Sequence, residues 1–298
     1  MRVEQVRCRS RGFGLVEVVV VLVLGLLLLL SLLVALPRQR AGARLMSCRR
    51  NLDQIGRAIL VYAQAQGRLP GVPALRRDPP ADSGPVAALL SGLGVADFEE
   101  IDARFVPRPG DGPVARRRIA GLICPDDRAA LSGPAPAPTS YRAVAGSRSD
   151  GGNGAFAPGQ TRTLDEIEEA DGLAFTALFE ERLVGDSRTG LTSYALVPGP
   201  VGDNLCPPAP GRGDAGTDWS IASWPMTLAN HTLTPNAQPS CVAADGRTAR
   251  LGASSGHEGG VQVLRGDGSV ALVAPRVDLR VWRALANVRD RDVTQNQQ

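Results

Sequence analysis

The chain has 298 residues, enough for one or two domains behind an amino-terminal extension. Its 33 Lys+Arg against 30 Asp+Glu leave a formal net charge of +3, so the charge balance gives no footprint for nucleic acid. Gly 34 and Pro 23 exceed average usage and predict many loops over short strands. Residues 1–12 form a basic leader, with Arg2, Arg7, Arg9 and Arg11 against Glu4. From Val18 to Leu36 nothing is charged and Ser31 is the single polar residue. A membrane helix needs about 20 apolar residues, so a span over 13–36 is predicted. A secretory signal would have a shorter apolar core and a small-residue cleavage site, whereas Pro37-Arg38-Gln39-Arg40 follows here.

Arg11-Gly12-Phe13-Gly14-Leu15-Val16-Glu17 resembles the processing site of type IV prepilins and type II secretion pseudopilins. The resemblance implies cleavage after Gly12 by a prepilin peptidase and N-methylation of the new terminus, Phe13. It also implies an assembly role for Glu17, which would pair with the terminal amine of a neighbouring subunit. An acid inside an apolar helix is expensive and usually functional. Gly14 and Val16 are mild departures from that pattern. Arginines on both sides of the span leave its orientation undecided by charge; the resemblance places the leader in the cytoplasm and the remainder outside.

Leu45, Cys48, Leu52, Ile55, Ile59 and Tyr62 recur at helical spacing, while Arg49, Arg50, Asp53 and Arg57 fall off that stripe. They predict that the helix continues over 37–68, bends at Pro37 and ends by Gly67. A stripe of about two and a half heptads is short for a coiled coil, which favours packing on the chain's own head.

The head, 69–288, is predicted from a series of short signals. Residues 86–101 form a short helix, and Asp126-Asp127 a solvated turn. Residues 131–139 resemble a linker, and 139–146 a strand. Thr163 and Glu166 stand at capping-box spacing. Asp171 to Glu181 is a short apolar segment ending in two acids. Glu180 and Glu181 are adjacent, so they do not converge on one point and make no general acid/base pair. Trp219 and Trp224 cover core or interface. Val261–Leu264 and Val270–Val273 around Gly266-Asp267-Gly268 predict a β-hairpin. Residues 277–288 close as a helix with Val281, Trp282, Leu285 and Val288 inward, and 289–298 form a polar tail.

The chemistry on offer is sparse. There are two histidines, His231 and His257, and neither a nucleophile elbow, an HExxH pair nor a P-loop. No catalytic residue, cofactor or metal ligand is assigned, and an exported enzyme is the least favoured class. Removal of Cys8 with the leader leaves Cys48, Cys124, Cys206 and Cys241, which allow three pairings. Cys48–Cys124 and Cys206–Cys241 are favoured, the first stapling the long helix to the head. His257 is expected to bond Asp267 and latch the hairpin.

Taken over nearly its full length, the chain resembles the DUF1559 family, whose members begin with a prepilin-like segment and carry an H-x9-DG motif. Here that motif is His257 with Asp267-Gly268. Cys48–Gly56, Cys124–Asp127, Thr139–Tyr141, Asp171–Ala174, Asn230–Asn236 and Val281–Leu285 resemble further blocks. The resemblance implies an α+β, pseudopilin-like fold: a long helix, half transmembrane and half amphipathic, packed on a β-rich head. It implies a single-pass inner-membrane protein with its head on the periplasmic or extracellular side. The implied partners are prepilin peptidase, the lipid membrane and other pseudopilin-like subunits. A tethered surface or binding protein that does not polymerise is the alternative.

Overall fold

The structure, a computed structural model, describes residues 14–75, 82–93, 116–187 and 189–289, and gives only the backbone for 32–38. Gly12 and Phe13 lie outside the described residues, as do the expected helical positions Val95, Phe98 and Ile101 and the tail from 290. The chain divides into two units, Met1–Ala43 and Arg44–Gln298. Helix α1, Leu15–Gln66, contributes to both.

In the first unit α1 is apolar on every face over 18–30, and its large apolar side chains from Leu15 to Leu30 are between 47% and 81% exposed. Its start is closed by Glu17, whose Oε2 accepts from the Gly14 N–H at 2.9 Å. That is half of a capping box, with the carboxylate where the helix dipole favours it. The structure corrects the expected membrane span. Among the described residues no helix is long and apolar enough to cross a membrane. The transmembrane half of the predicted fold loses its support. So do the lipid membrane as partner and the inner-membrane location of 13–36, which rested on it.

The second unit is α+β. Along α1 the stripe is as spaced: Cys48, Leu52, Ile55 and Ile59 are buried, and Tyr62 packs at the margin of the same core. Arg49, Arg50 and Arg57 face solvent. The helix stops at Gln66 because Gly67 takes φ 66° and its N–H returns to the Ala63 carbonyl at 2.8 Å.

A five-stranded sheet is built from β1 (Tyr141–Val144), β2 (Ala177–Glu181), β5 (Leu228–Ala229), β8 (Val261–Arg265) and β9 (Val270–Val273), in the order β5-β1-β2-β8-β9. Only β1 and β5 run parallel. β3 (Tyr194–Val197), β4 (Gly211–Arg212), β6 (Cys241–Ala243) and β7 (Ala249–Arg250) form a second sheet, ordered β4-β3-β6-β7. The expected hairpin is β8–β9, with Val261 opposite Val273 and Leu264 opposite Val270. Its turn is set by Gly268 at φ 83° and by Asp267, whose Oδ1 accepts from the Ser269 N–H at 2.9 Å.

Among the described residues four further α-helices are short: α2 (Pro85–Ala88), α3 (Arg128–Ser132), α4 (Leu164–Ala170) and α5 (Leu279–Ala286). α4 begins with the complete capping box of Thr163 and Glu166. α5 buries Trp282, but Val281 points outward at 62% exposure, contrary to its expected inward place. One face of the large sheet contributes Tyr141, Phe179 and Leu264 to the core shared with α1. The other contributes Val144, Val261 and Val263 to a core with Trp282. Trp219 and Trp224 are fully buried in the first core.

Two disulfides join Cys48 to Cys124 and Cys206 to Cys241. Two loop readings are corrected. Asp127 is buried rather than solvated: it caps α3 through the Ala130 N–H at 3.1 Å and accepts from Ser140 Oγ at 2.8 Å. Residues 131–139 are no free linker, since Arg118 donates to the carbonyls of Leu131 at 3.0 Å and Ala135 at 2.7 Å.

Candidate functional site: two histidine–carboxylate centres on one strand

Strand β2 ends in Leu178-Phe179-Glu180-Glu181, and all four residues are buried. Successive strand residues point to opposite faces. The paired acids therefore enter two different cores, and each meets one of the chain's two histidines.

On the α5 side, Glu180 Oε2 lies 2.7 Å from His231 Nε2. The other ring nitrogen, Nδ1, donates to the Trp282 carbonyl at 2.6 Å. The imidazole stacks on the Trp282 ring with centroids 3.6 Å apart and planes 7° from parallel. The Trp282 indole N–H in turn donates to the Leu233 carbonyl at 2.7 Å. This centre has no exposed member, and it joins the Asn230–Thr232 segment to α5.

Arg142 stands directly opposite Glu180 in the β1–β2 ladder and is fully buried. Burial, then the nearby Arg182, lowers its pKa to about 9, against the pull of Asp127 and Glu180. Arg182, also buried, is lowered to about 10 by burial, with Glu180 opposing. Burial pushes Asp127 upward despite its hydrogen bonds from Val184, Ala130 and Ser140.

On the α1 side, His257 Nδ1 is 2.6 Å from Asp126 Oδ2. The other oxygen of Asp126 is held by Arg44 of α1. Nε2 of His257 lies 3.3 Å from Glu181 Oε1 and 3.3 Å from Cys124 Sγ. Glu181 Oε2 accepts from the Gln262 N–H of β8 at 2.9 Å. Burial pulls the His257 ring downward, but Glu181 and Asp126 outweigh it and hold its pKa above the ordinary value. Tyr141, which receives a hydrogen bond from Asn51 at 3.1 Å, has its phenol pushed well up by burial and by Glu181.

The expected His257–Asp267 latch is corrected by this geometry. His257 turns inward to Asp126, Glu181 and Cys124, while Asp267 is exposed and serves its own turn. The reason lies in Gly259 and Gly260, whose φ angles of 95° and 138° turn the backbone between His257 and β8. An exported enzyme would need His257, Glu258, Asp267 and either Asp126 or Asp214 in one cleft; of these, His257 and Asp126 meet. Glu258 is exposed, and Asp214 lies elsewhere, with Tyr194 and Arg212. Sequence reasoning missed Glu180, Glu181, Asp126 and His231 as members of buried centres. The available signal was two consecutive acids at the end of an apolar strand, one of which must enter a core whichever face is wet.

Residues 7–33 match the prokaryotic N-terminal methylation motif, which is consistent with a prepilin- or pseudopilin-like protein. Residues 37–280 match the family described as protein of unknown function (DUF1559), and the chain belongs to that family. No curated protein and no solved structure matches the chain.

Proposed function

We propose that this chain is a pseudopilin-like protein matured at its amino terminus. A prepilin-type peptidase cleaves after Gly12, and the new terminus, Phe13, is N-methylated. The observation that carries the reading is the match of residues 7–33 to the N-terminal methylation motif, with Gly12, Phe13 and Glu17 in its processing pattern. The head is a structural module rather than an enzyme. Supporting this, Glu180 and His231 are sequestered and engaged with each other and with Trp282, leaving no reacting face. Mass spectrometry of the chain from a prokaryote that carries such a peptidase tests the proposal. A methylated Phe13 terminus is expected. An intact Met1, or any terminus other than methyl-Phe13, overturns it. Replacing Gly12 by a bulky residue should leave the leader in place.

A further inference from the structure

The centre on the α1 side holds more donor chemistry than a hydrogen-bonded histidine needs. Cys48 Sγ, Cys124 Sγ, Glu181 Oε1 and His257 Nε2 all lie within 4.8 Å of one another, and all four residues are buried. His257 Nε2 has two contacts, each at 3.3 Å, to Glu181 and Cys124. Glu181 Oε1 is buried without a properly directed hydrogen bond among the described residues, although its other oxygen has one. Nδ1 of His257 is meanwhile fixed by Asp126, itself anchored by Arg44. A carboxylate on the far nitrogen is the usual support of a metal-binding histidine, since it sets the tautomer and aims the free lone pair. Here that lone pair is aimed between Glu181 and the two sulfurs.

We infer that Cys48, Cys124, His257 and Glu181 form a zinc site that is open when the Cys48–Cys124 bond is reduced and closed when it is oxidised. Two thiolates, one imidazole and one carboxylate are a donor set that suits tetrahedral Zn²⁺. A dithiol donor opens the site by giving two electrons to the S–S bond. The sulfurs become two thiols, and the donor closes to its own disulfide. Zn²⁺ then displaces one proton from each thiol, and Nε2 binds without its proton. A disulfide oxidant takes two electrons from the two thiolates by thiol–disulfide exchange and becomes a dithiol; this re-forms the Cys48–Cys124 bond, removes both ligands and releases the ion. The same two cysteines tie α1 to the head in either state, by a covalent bond or through the ion.

The full chain is the material for the test. Oxidised chain, and chain reduced by a trialkylphosphine (which takes its oxygen from water and does not chelate zinc), are each incubated with Zn²⁺ and freed of unbound metal. One zinc per chain is expected on the reduced form and none on the oxidised form. Bound zinc should slow alkylation of Cys48 and Cys124 by roughly tenfold relative to Cys206 and Cys241, because metal-held thiolates are shielded. The Cys206→Ser/Cys241→Ser variant should keep its zinc. His257→Ala should lose it, and Asp126→Asn should bind about 10–100-fold more weakly. No stoichiometric zinc on reduced wild type, equal zinc on both redox forms, or equal alkylation of Cys48, Cys124, Cys206 and Cys241 in the presence of zinc overturns the inference.

Discussion

Glu180 and Glu181 are joined by one peptide bond and belong to different cores: the first faces His231 at 2.7 Å, the second His257 at 3.3 Å. β2 thus acts as the partition between the α1 and α5 sides of the head, with an ionisable pair on each side. Removing one member of such a pair strands the other.

Replacing His231 by Ala should therefore be severe. It leaves the Glu180 carboxyl buried opposite Arg142 and removes the ring stacked on Trp282. Leaving a buried polar group without its hydrogen-bond partner costs about 1–3 kcal/mol. Urea unfolding of wild type and His231→Ala measures it. An unchanged midpoint would show that the pair contributes nothing to the fold.

The two disulfides should contribute unequally. In the chain-entropy picture, the 76-residue separation of Cys48 and Cys124 gives about 4.5 kcal/mol, and the 35-residue separation of Cys206 and Cys241 about 4. Cys48→Ala additionally disturbs the helix–head core, where both Cys48 and Cys124 are buried. Non-reducing peptide mapping should recover both links, and thermal melts of the oxidised chain should rank the loss of Cys48–Cys124 first.

A third expectation concerns acid. Burial raises the Asp214 carboxyl, but hydrogen bonds from Arg212 and Tyr194 outweigh it and hold the pKa below its ordinary value. A carboxylate depressed in the folded state contributes stability above its unfolded pKa, and loses it as pH falls through the folded value. The window lies below about pH 4. Asp127, raised by burial, has the opposite sign and gains stability as it protonates. Unfolding free energies below about pH 4 should fall less steeply in Asp214→Asn than in wild type, whereas Asp127→Asn should lack the gain that wild type makes above that window, as pH falls through the raised Asp127 value towards about 4.

The terminal hairpin separates two kinds of glycine. Gly268 has φ 83° and nothing within 4 Å of an added Cβ, so Gly268→Ala should cost the backbone alone, about 1–2 kcal/mol. Gly260 has φ 138°, and its added Cβ would meet the Val273 carbonyl across the hairpin. Gly260→Ala should be the more damaging, as judged by melting temperature and by hydrogen exchange in β8 and β9.

Local signals read well in this chain wherever one residue type decides the outcome. The stripe Cys48–Tyr62, the stop at Gly67, the capping box of Thr163 and Glu166 and the Gly-Asp-Gly turn each depend on spacing or on a single dihedral. What spacing could not supply was the direction of buried polar groups. Asp126 and Asp127 looked like a wet turn because their partners, His257 and Val184, come from distant segments. The apolar run after Phe13 suggested a membrane crossing by its hydropathy. Among the described residues no helix is long and apolar enough for that, and the first acid of α1, Glu17, caps the helix start. His257 and Asp267 shared a motif but no bond, since a motif reports sequence distance and the glycines between them turn the chain.

The side-chain amide of Gln262 donates to the Leu45 carbonyl of α1 at 2.6 Å, across 217 positions, and Leu264 of the same strand sits against Gly56 of that helix. During synthesis, α1 leaves the ribosome long before β8. The part of the α1 stripe beside Gly56 must therefore wait for Leu264 to be made. Contacts this distant in sequence form slowly and expose the chain to aggregation until they close. A nascent chain halted before Val261 is thus a ready client for a chaperone, and the arrival of β8 is the moment at which this side of the head can first close.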